Sequence, residues 1–214
     1  ILLSGMFSGY MVQKRKNIRL NNKEKSLLFV LYSIGILTIW VLRSVKFVYI
    51  PMAIIPMLVA ILIHSDIAII LNMLIVMVGA LIYKGDMTYI VYFSTIGIMS
   101  AISVINVKQR NRTLSIATYL GFSNVLVIVS IRLFTQGTIG MELVKESAAA
   151  FLLGILMLII VVGSLPLWES VFDIVTPIKL LELTNPNQEL LKRLLLEATG
   201  TYHHSLLVAN LAET

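Results

Sequence analysis

Ser147-Ala148-Ala149-Ala150-Phe151-Leu152-Leu153-Gly154-Ile155-Leu156-Met157-Leu158-Ile159-Ile160-Val161-Val162-Gly163-Ser164-Leu165-Pro166 contains no ionisable side chain over its whole length. At 1.5 Å per residue a helix of about 20 residues crosses the ~30 Å hydrocarbon layer of a bilayer. Working outward from this stretch, further apolar runs fall at 1–12, 26–42, 47–63, 67–83, 88–107 and 113–131. None alternates with a period of two, as a barrel strand does. Lipid admits only helices or closed barrels, because backbone polar groups find no water there. The reading is an all-α polytopic membrane bundle over residues 1–166, with seven spans of which the first is cut short.

Composition agrees. Of 214 residues, 58% are hydrophobic and 13% charged, and the mean hydropathy is +0.92. Soluble domains carry roughly a quarter charged residues. There is no cysteine, which excludes disulfides, cysteine-based zinc sites and thiol nucleophiles. The net charge of +6 invites a nucleic-acid polymer as partner, but the basic residues sit in short loops between apolar runs. There they serve topology, and the expected partner is the lipid bilayer. Lys14, Arg15, Lys16, Arg19, Lys23 and Lys25 precede the second run, and Lys108, Arg110 and Arg112 precede the sixth. These loops share a side with His64-Ser65-Asp66 and with everything after Pro166. The other side has Arg43, Lys46, Lys84, Arg132 and Lys145. The positive-inside rule puts the richer side and the C-terminal tail in the cytoplasm. Ile1 lies inside an apolar stretch without a basic flank, so it reads as a position within a longer protein.

Trp168 suits an interfacial anchor. Beyond it Glu169, Asp173, Glu182, Glu189 and Glu197 appear, and residues 167–200 read as an amphipathic cytoplasmic linker. Val171, Ile174, Val175, Ile178 and Leu181 recur at helical spacing, with Pro177 interrupting or starting a turn. Asn185-Pro186 resembles an N-cap followed by proline at N1 of a second helix carrying Leu190, Leu191, Leu194 and Leu195, with Gly200 as its stop. A last helix follows over 201–214. In it His204, Leu207, Val208 and Leu211 share one stripe, and His203 lies nearer the polar edge. Imidazole is a common metal ligand, but an inward histidine on such a stripe is more often a satisfied core residue.

The surrounding string changes that balance. Leu194-Leu195-Leu196-Glu197-Ala198-Thr199-Gly200-Thr201-Tyr202-His203-His204-Ser205, with Pro166-Leu167-Trp168-Glu169-Ser170-Val171-Phe172 and Leu180-Leu181-Glu182-Leu183-Thr184-Asn185-Pro186 upstream, resembles the seven-transmembrane HD family. These are membrane-anchored cyclic di-AMP phosphodiesterases of the PgpH type. The likeness is architectural over the whole chain and specific over roughly 164–213. Thr199 and Glu189 depart from the family, which favours proline there; both affect helix boundaries rather than ligands.

The resemblance implies a sensor and anchor joined to a hydrolase that converts cyclic di-AMP to linear pApA with a pair of divalent metals, manganese or iron. It implies His204 as the first metal ligand and His203 as a neighbour that hydrogen-bonds or contacts substrate. The His-Asp doublet and the later ligands would lie beyond Thr214, so residues 201–214 would be only the opening of the HD domain. It further implies an extracellular domain and one more helix before Ile1, a bacterial cell-membrane location and a possible homodimer.

Other polar positions invite simpler readings. His64-Ser65-Asp66 caps a hairpin. Asn72, Asn106 and Asn124 join helices through hydrogen bonds or line a ligand pocket. Arg43, Lys46 and Arg132 near span ends suit snorkelling. Pro51 and Pro56 kink one span, and Gly79, Gly97, Gly121 and Gly154 permit close helix contact. Two rivals stand beside the enzyme. A transporter calls for inverted repeats and unwound helices around a midplane site, and the sequence holds no internal repeat. A non-enzymatic receptor calls for a degenerate HD domain downstream.

Overall fold

The computed structural model describes residues 20–106, 110–137, 140–185 and 187–213. The apolar run 1–12, the basic positions Lys14 to Arg19, Lys108 and Pro186 lie outside them. Among the described residues every regular element is helical. The chain divides into two compact units, Ile1–Ile174 and Val175–Thr214.

In the first unit α1 (Asn22–Val41), α2 (Ile54–Leu62), α3 (Ser65–Ile82), α4 (Met87–Ser103), α5 (Arg110–Gln136) and α6 (Met141–Phe172) follow one another. Four of them, α1, α3, α5 and α6, are long and apolar enough to cross a membrane, and shorter apolar helical stretches cover 47–62 and 87–103. This is a multi-pass membrane protein. The ends follow local chemistry. Asn21 and Glu24 form a capping box at α1, so two otherwise orphaned amides are satisfied reciprocally. The His64 ring accepts from the Asp66 amide at 3.3 Å, and the Asp86 carboxylate accepts from the Thr88 amide at 2.8 Å. His64 is thus a cap for α3.

The third apolar run, 47–63, is broken rather than kinked. A 3-10 turn, Phe47–Tyr49, leads into irregular backbone, and α2 begins only at Ile54. Pro51 precedes that start and Pro56 falls in the first turn, where its missing N–H costs little. α2 packs against α1, α3, α4 and α6; Met57 and Val59 are fully buried. Being apolar all round, it suits the centre of the bundle. Ile50, Met52 and Ala53 in the irregular stretch are buried as well, as non-helical backbone at membrane depth must be.

The outer surface is apolar. Phe29, Phe122, Phe134, Leu152, Ile159 and Leu167 are exposed, which suits lipid contact. Between helices, small residues and amides make the joints. A Cβ on Gly154 would stand 2.8 Å from Gly121 Cα, so the α5 and α6 backbones touch there. Asn124 Nδ2 donates to the Ala150 carbonyl at 3.3 Å, and Asn72 Nδ2 to the Phe93 carbonyl at 3.2 Å. Both asparagines therefore act as interhelical ties. The side chain of Asn106 lies outside the described residues. α6 runs through Pro166 to Phe172, six residues beyond the sequence-based end of that span, with a left-handed cap at Asp173, φ 51°.

The second unit contains α7 (Pro177–Leu183), α8 (Glu189–Glu197) and α9 (Thr199–Glu213). Pro177 starts a helix, at N1, and the Thr176 hydroxyl accepts from the Lys179 amide at 3.2 Å. Asn185 instead makes a local turn to the Asn187 amide at 3.0 Å, and the N-cap of α8 is Gln188. Gly200 lies in the first turn of α9 and does not end α8; Ala198 joins the two helices. α8 and α9 pack together, with Leu191, Leu194, Leu195 and Tyr202 half-buried.

Candidate functional site

His203 and His204 lie in the second turn of α9, and both are exposed. The His203 ring stands edge-on to Tyr202, with centroids 5.8 Å apart. Consecutive helical residues project about 100° apart, so the pair does not converge on one point. Among the described residues no group of three His, Asp or Glu side chains could hold a metal. Two imidazoles that point apart do not by themselves make a two-metal centre. The stripe shared with His204 (Leu207, Val208 and Leu211) is also exposed.

A second constellation lies at the end of the bundle formed by the α1–α2, α3–α4 and α5–α6 connections. Glu146, in the second turn of α6, is 2% exposed. Arg132, near the end of α5, grips it with both arms of its fork: Nε donates to Oε2 at 2.9 Å and Nη2 to Oε1 at 2.6 Å. Lys46 Nζ, just before the 3-10 turn, donates to Glu146 Oε1 at 3.2 Å and lies 3.5 Å from Glu142 Oε1. The hydrogen bond to Glu146, and then the charges of Glu142 and Glu146, hold the Lys46 ammonium above its ordinary pKa. The hairpin through Gly137, φ 63°, brings Arg132 and Glu146 face to face. The three charged groups line a cavity of about 340 Å³. Phe47, Tyr92, Ile128 and Ile131 form its apolar wall, with the hydroxyl-bearing Thr88 and Thr135 also on its lining.

Lys46 and Arg132 therefore do not simply snorkel; both are committed to a buried carboxylate. Sequence reasoning passed over Glu146, which sits at the foot of an apolar run beside Lys145. The available signal was the surplus of cations on one side of the bundle with few acids to match. A buried charge demands a partner, so an acid next to an apolar run points back to such cations. At the opposite end, Lys23 pairs with Asp173 at 2.5 Å, and this lowers the Asp173 pKa.

Relatives agree with this architecture. The family model described as a 7TM receptor with intracellular HD hydrolase matches residues 1–176. A protein named cyclic-di-AMP phosphodiesterase PgpH from Listeria monocytogenes is 31% identical over 87% of this chain and 26% of its own length. A protein of the same name from Bacillus subtilis is 26% identical over 100% of this chain and 32% of its own. An uncharacterised Synechocystis protein is 51% identical over 63 residues, 29% of this chain and 8% of that protein. The chain thus spans between a quarter and a third of the two phosphodiesterases. No solved structure matches it. The match over 1–176, laid on a bundle of apolar helices, shows that the chain belongs to the family of seven-transmembrane receptors with an intracellular HD hydrolase.

Proposed function

We propose that this chain is the transmembrane sensor and anchor of a membrane-bound, metal-dependent phosphodiesterase that opens cyclic di-AMP to linear pApA. The observation that carries the reading is a receptor-type match over 1–176 followed by a helix with His203-His204 in its second turn. The names of the Listeria and Bacillus relatives supply the substrate. In this reading residues 1–166 are the seven-span domain, 167–200 the linker and 201–214 the opening of the HD domain.

His204 contributes one imidazole nitrogen to the metal centre, and His203 orients a neighbour or touches substrate. A pair of divalent ions, manganese or iron, would supply an activated water and charge stabilisation at phosphorus. Leu207, Val208 and Leu211, one turn on from His204, form the stripe by which α9 packs into its domain and sets the imidazole's direction. Exposure of that stripe in these residues supports such packing, since a contiguous apolar face calls for cover. The basic loops support a cytoplasmic C-terminus and a cell-membrane location. A homodimer would bring two such anchors together. Movement of α6, passed along the linker, would regulate the hydrolase.

The deciding experiment purifies the full-length protein with Mn²⁺ and follows cyclic di-AMP conversion, with cyclic di-GMP as competitor. His204→Ala should lower turnover by at least about 100-fold, more than loss of an outer-shell partner does, with the membrane domain still folded. Absence of turnover by the wild type would replace the enzyme by a receptor whose HD-like domain only binds.

A further inference from the structure

The cavity beneath Lys46, Arg132 and Glu146 has no place in the hydrolase reading. Its lining carries Lys46, Arg132 and Glu146, and Glu142, 3.5 Å from Lys46, balances the second cation. A structural staple needs one cation for Glu146. Withdrawing charges from water is costly, and an ionisable group held inside a membrane bundle marks a functional site by default. Both Glu146 oxygens are already engaged, Oε2 by Arg132 and Oε1 by Arg132 and Lys46. An ammonium ligand would therefore meet no open acceptor there. Lys46, by contrast, also spends its charge on Glu142, whose side chain is 75% exposed. Glu142 can turn to water and leave that side of the ammonium to a ligand.

The rest of the cavity says what such a ligand looks like. Phe47, Tyr92, Ile128 and Ile131 offer an aromatic and aliphatic slot next to the charges. A volume of about 340 Å³ is near the lower end of the ~300–1,000 Å³ usual for small-molecule sites. A ligand carboxylate that replaces the Glu142 carboxylate on Lys46 keeps the cluster balanced, so the ligand that fits is a monoanion. The backbone adds an independent sign. Lys46 and Phe47 stand at the start of the broken third span, and discontinuous membrane segments recur where transporters and their kin build ligand sites.

We propose that this cavity binds a small monocarboxylate with an apolar, preferably aromatic, body. Its carboxylate takes the place of Glu142 on Lys46, beside the Arg132–Glu146 pair, and its body lies along Phe47 and Ile131. Binding would tie together the broken span, α5 and α6. The site does not depend on hydrolase activity, since occupancy is read without turnover.

The test uses the full-length protein in lipid nanodiscs and ligand-observed saturation-transfer NMR. Phenylacetate, phenylacetamide and phenethylamine share one body and differ in charge; decanoate tests a lipid-borne source of the same carboxylate. At least one carboxylate should bind saturably, phenylacetate at least about 10-fold more tightly than its amide if the source is water-borne, decanoate more tightly than decanamide if it is lipid-borne. Lys46→Gln should bring acid and amide level. Ile131→Trp, filling the slot, should abolish binding; Lys46→Gln, at a half-exposed side chain, keeps the test valid if the tryptophan variant misfolds. Three results would overturn the proposal: the amine binding most tightly, both carboxylates binding no better than their amides, or affinities unmoved by Lys46→Gln.

Discussion

The two units of this chain bury opposite things. In residues 20–174 the outer surface is apolar and the interior holds a paired carboxylate, two asparagine ties and close glycine contacts. In 175–213 only Thr176 is buried among the described residues, and leucines of α8 and α9 stand exposed on helices that also carry Lys192, Arg193, Glu189 and Glu197. Exposed leucine thus means two different things. On α5 and α6 it is continuous around the long uncharged stretches 113–131 and 147–166, and lipid is its natural solvent. On α8 it alternates with charge and on α9 with small and polar residues at helical spacing, and such a face calls for a protein neighbour. Exposure alone does not separate the two; the company each leucine keeps along the helix does.

The contrast can be broken most forcefully at Glu146. Glu146→Ala leaves Arg132 and Lys46 facing a buried void, and loss of one partner of a buried pair costs about 3–5 kcal/mol. Denaturant unfolding in micelles should show it. Combining Lys46→Met, Arg132→Met and Glu146→Leu should recover most of the loss, as hydrophobic replacement of whole buried pairs does.

Leu211→Asp comes next, and it sharpens the distinction between the two kinds of leucine. In the 214-residue chain alone it should shift unfolding by no more than about 0.5 kcal/mol, as exposed substitutions do. In the full-length protein, where we place this stripe inside the HD domain, losing a buried leucine should cost about 2–5 kcal/mol and lower phosphodiesterase yield. Equal effects in the two settings would remove the difference between the tail and the bundle.

Gly154→Ala tests the α5–α6 joint, because its methyl group would press on the Gly121 backbone. Overpacking of that kind costs about 1–3 kcal/mol. Gly163→Ala in the same helix meets nothing within 4 Å and should be tolerated in the same thermal assay.

The smallest effect belongs to Lys23 and Asp173. The lysine lowers the Asp173 pKa from 3.8, so the folded value lies below the unfolded one. The pair's contribution is present above pH 3.8 and fades as pH falls through the lowered value. Lys23→Gln should lower melting at neutral pH only slightly and leave it unchanged in acid, flattening the acid-side loss, because both side chains are largely exposed and such pairs contribute little.

Much of the molecule is legible from local sequence. The described apolar runs are helical apart from the break before Ile54, the His64 and Pro177 boundaries fall where cap chemistry puts them, and Asn72 and Asn124 tie helices. Where neighbours compete, local rules gave way. Gly200 joins the first turn of α9 because the junction is made at Ala198. Asn185 spends its side chain on a turn, so α8 starts later. α6 carries Pro166 within it, since one missing N–H does not stop a helix of 32 residues.

What the sequence by itself determined is the solvent: runs of apolar residues of membrane length, with basic loops between them, need no fold to be read, because hydropathy and charge belong to each segment separately. The family resemblance around His203 and His204 was legible for the same reason, as contiguous text. Only the tertiary structure decided that Lys46, Arg132 and Glu146 form one cluster, since Lys46 and Glu146 are 100 residues apart in the chain. Their pairing is set by where three helix connections meet. A buried carboxylate has to find its cations in space, and no periodicity along the chain records that search.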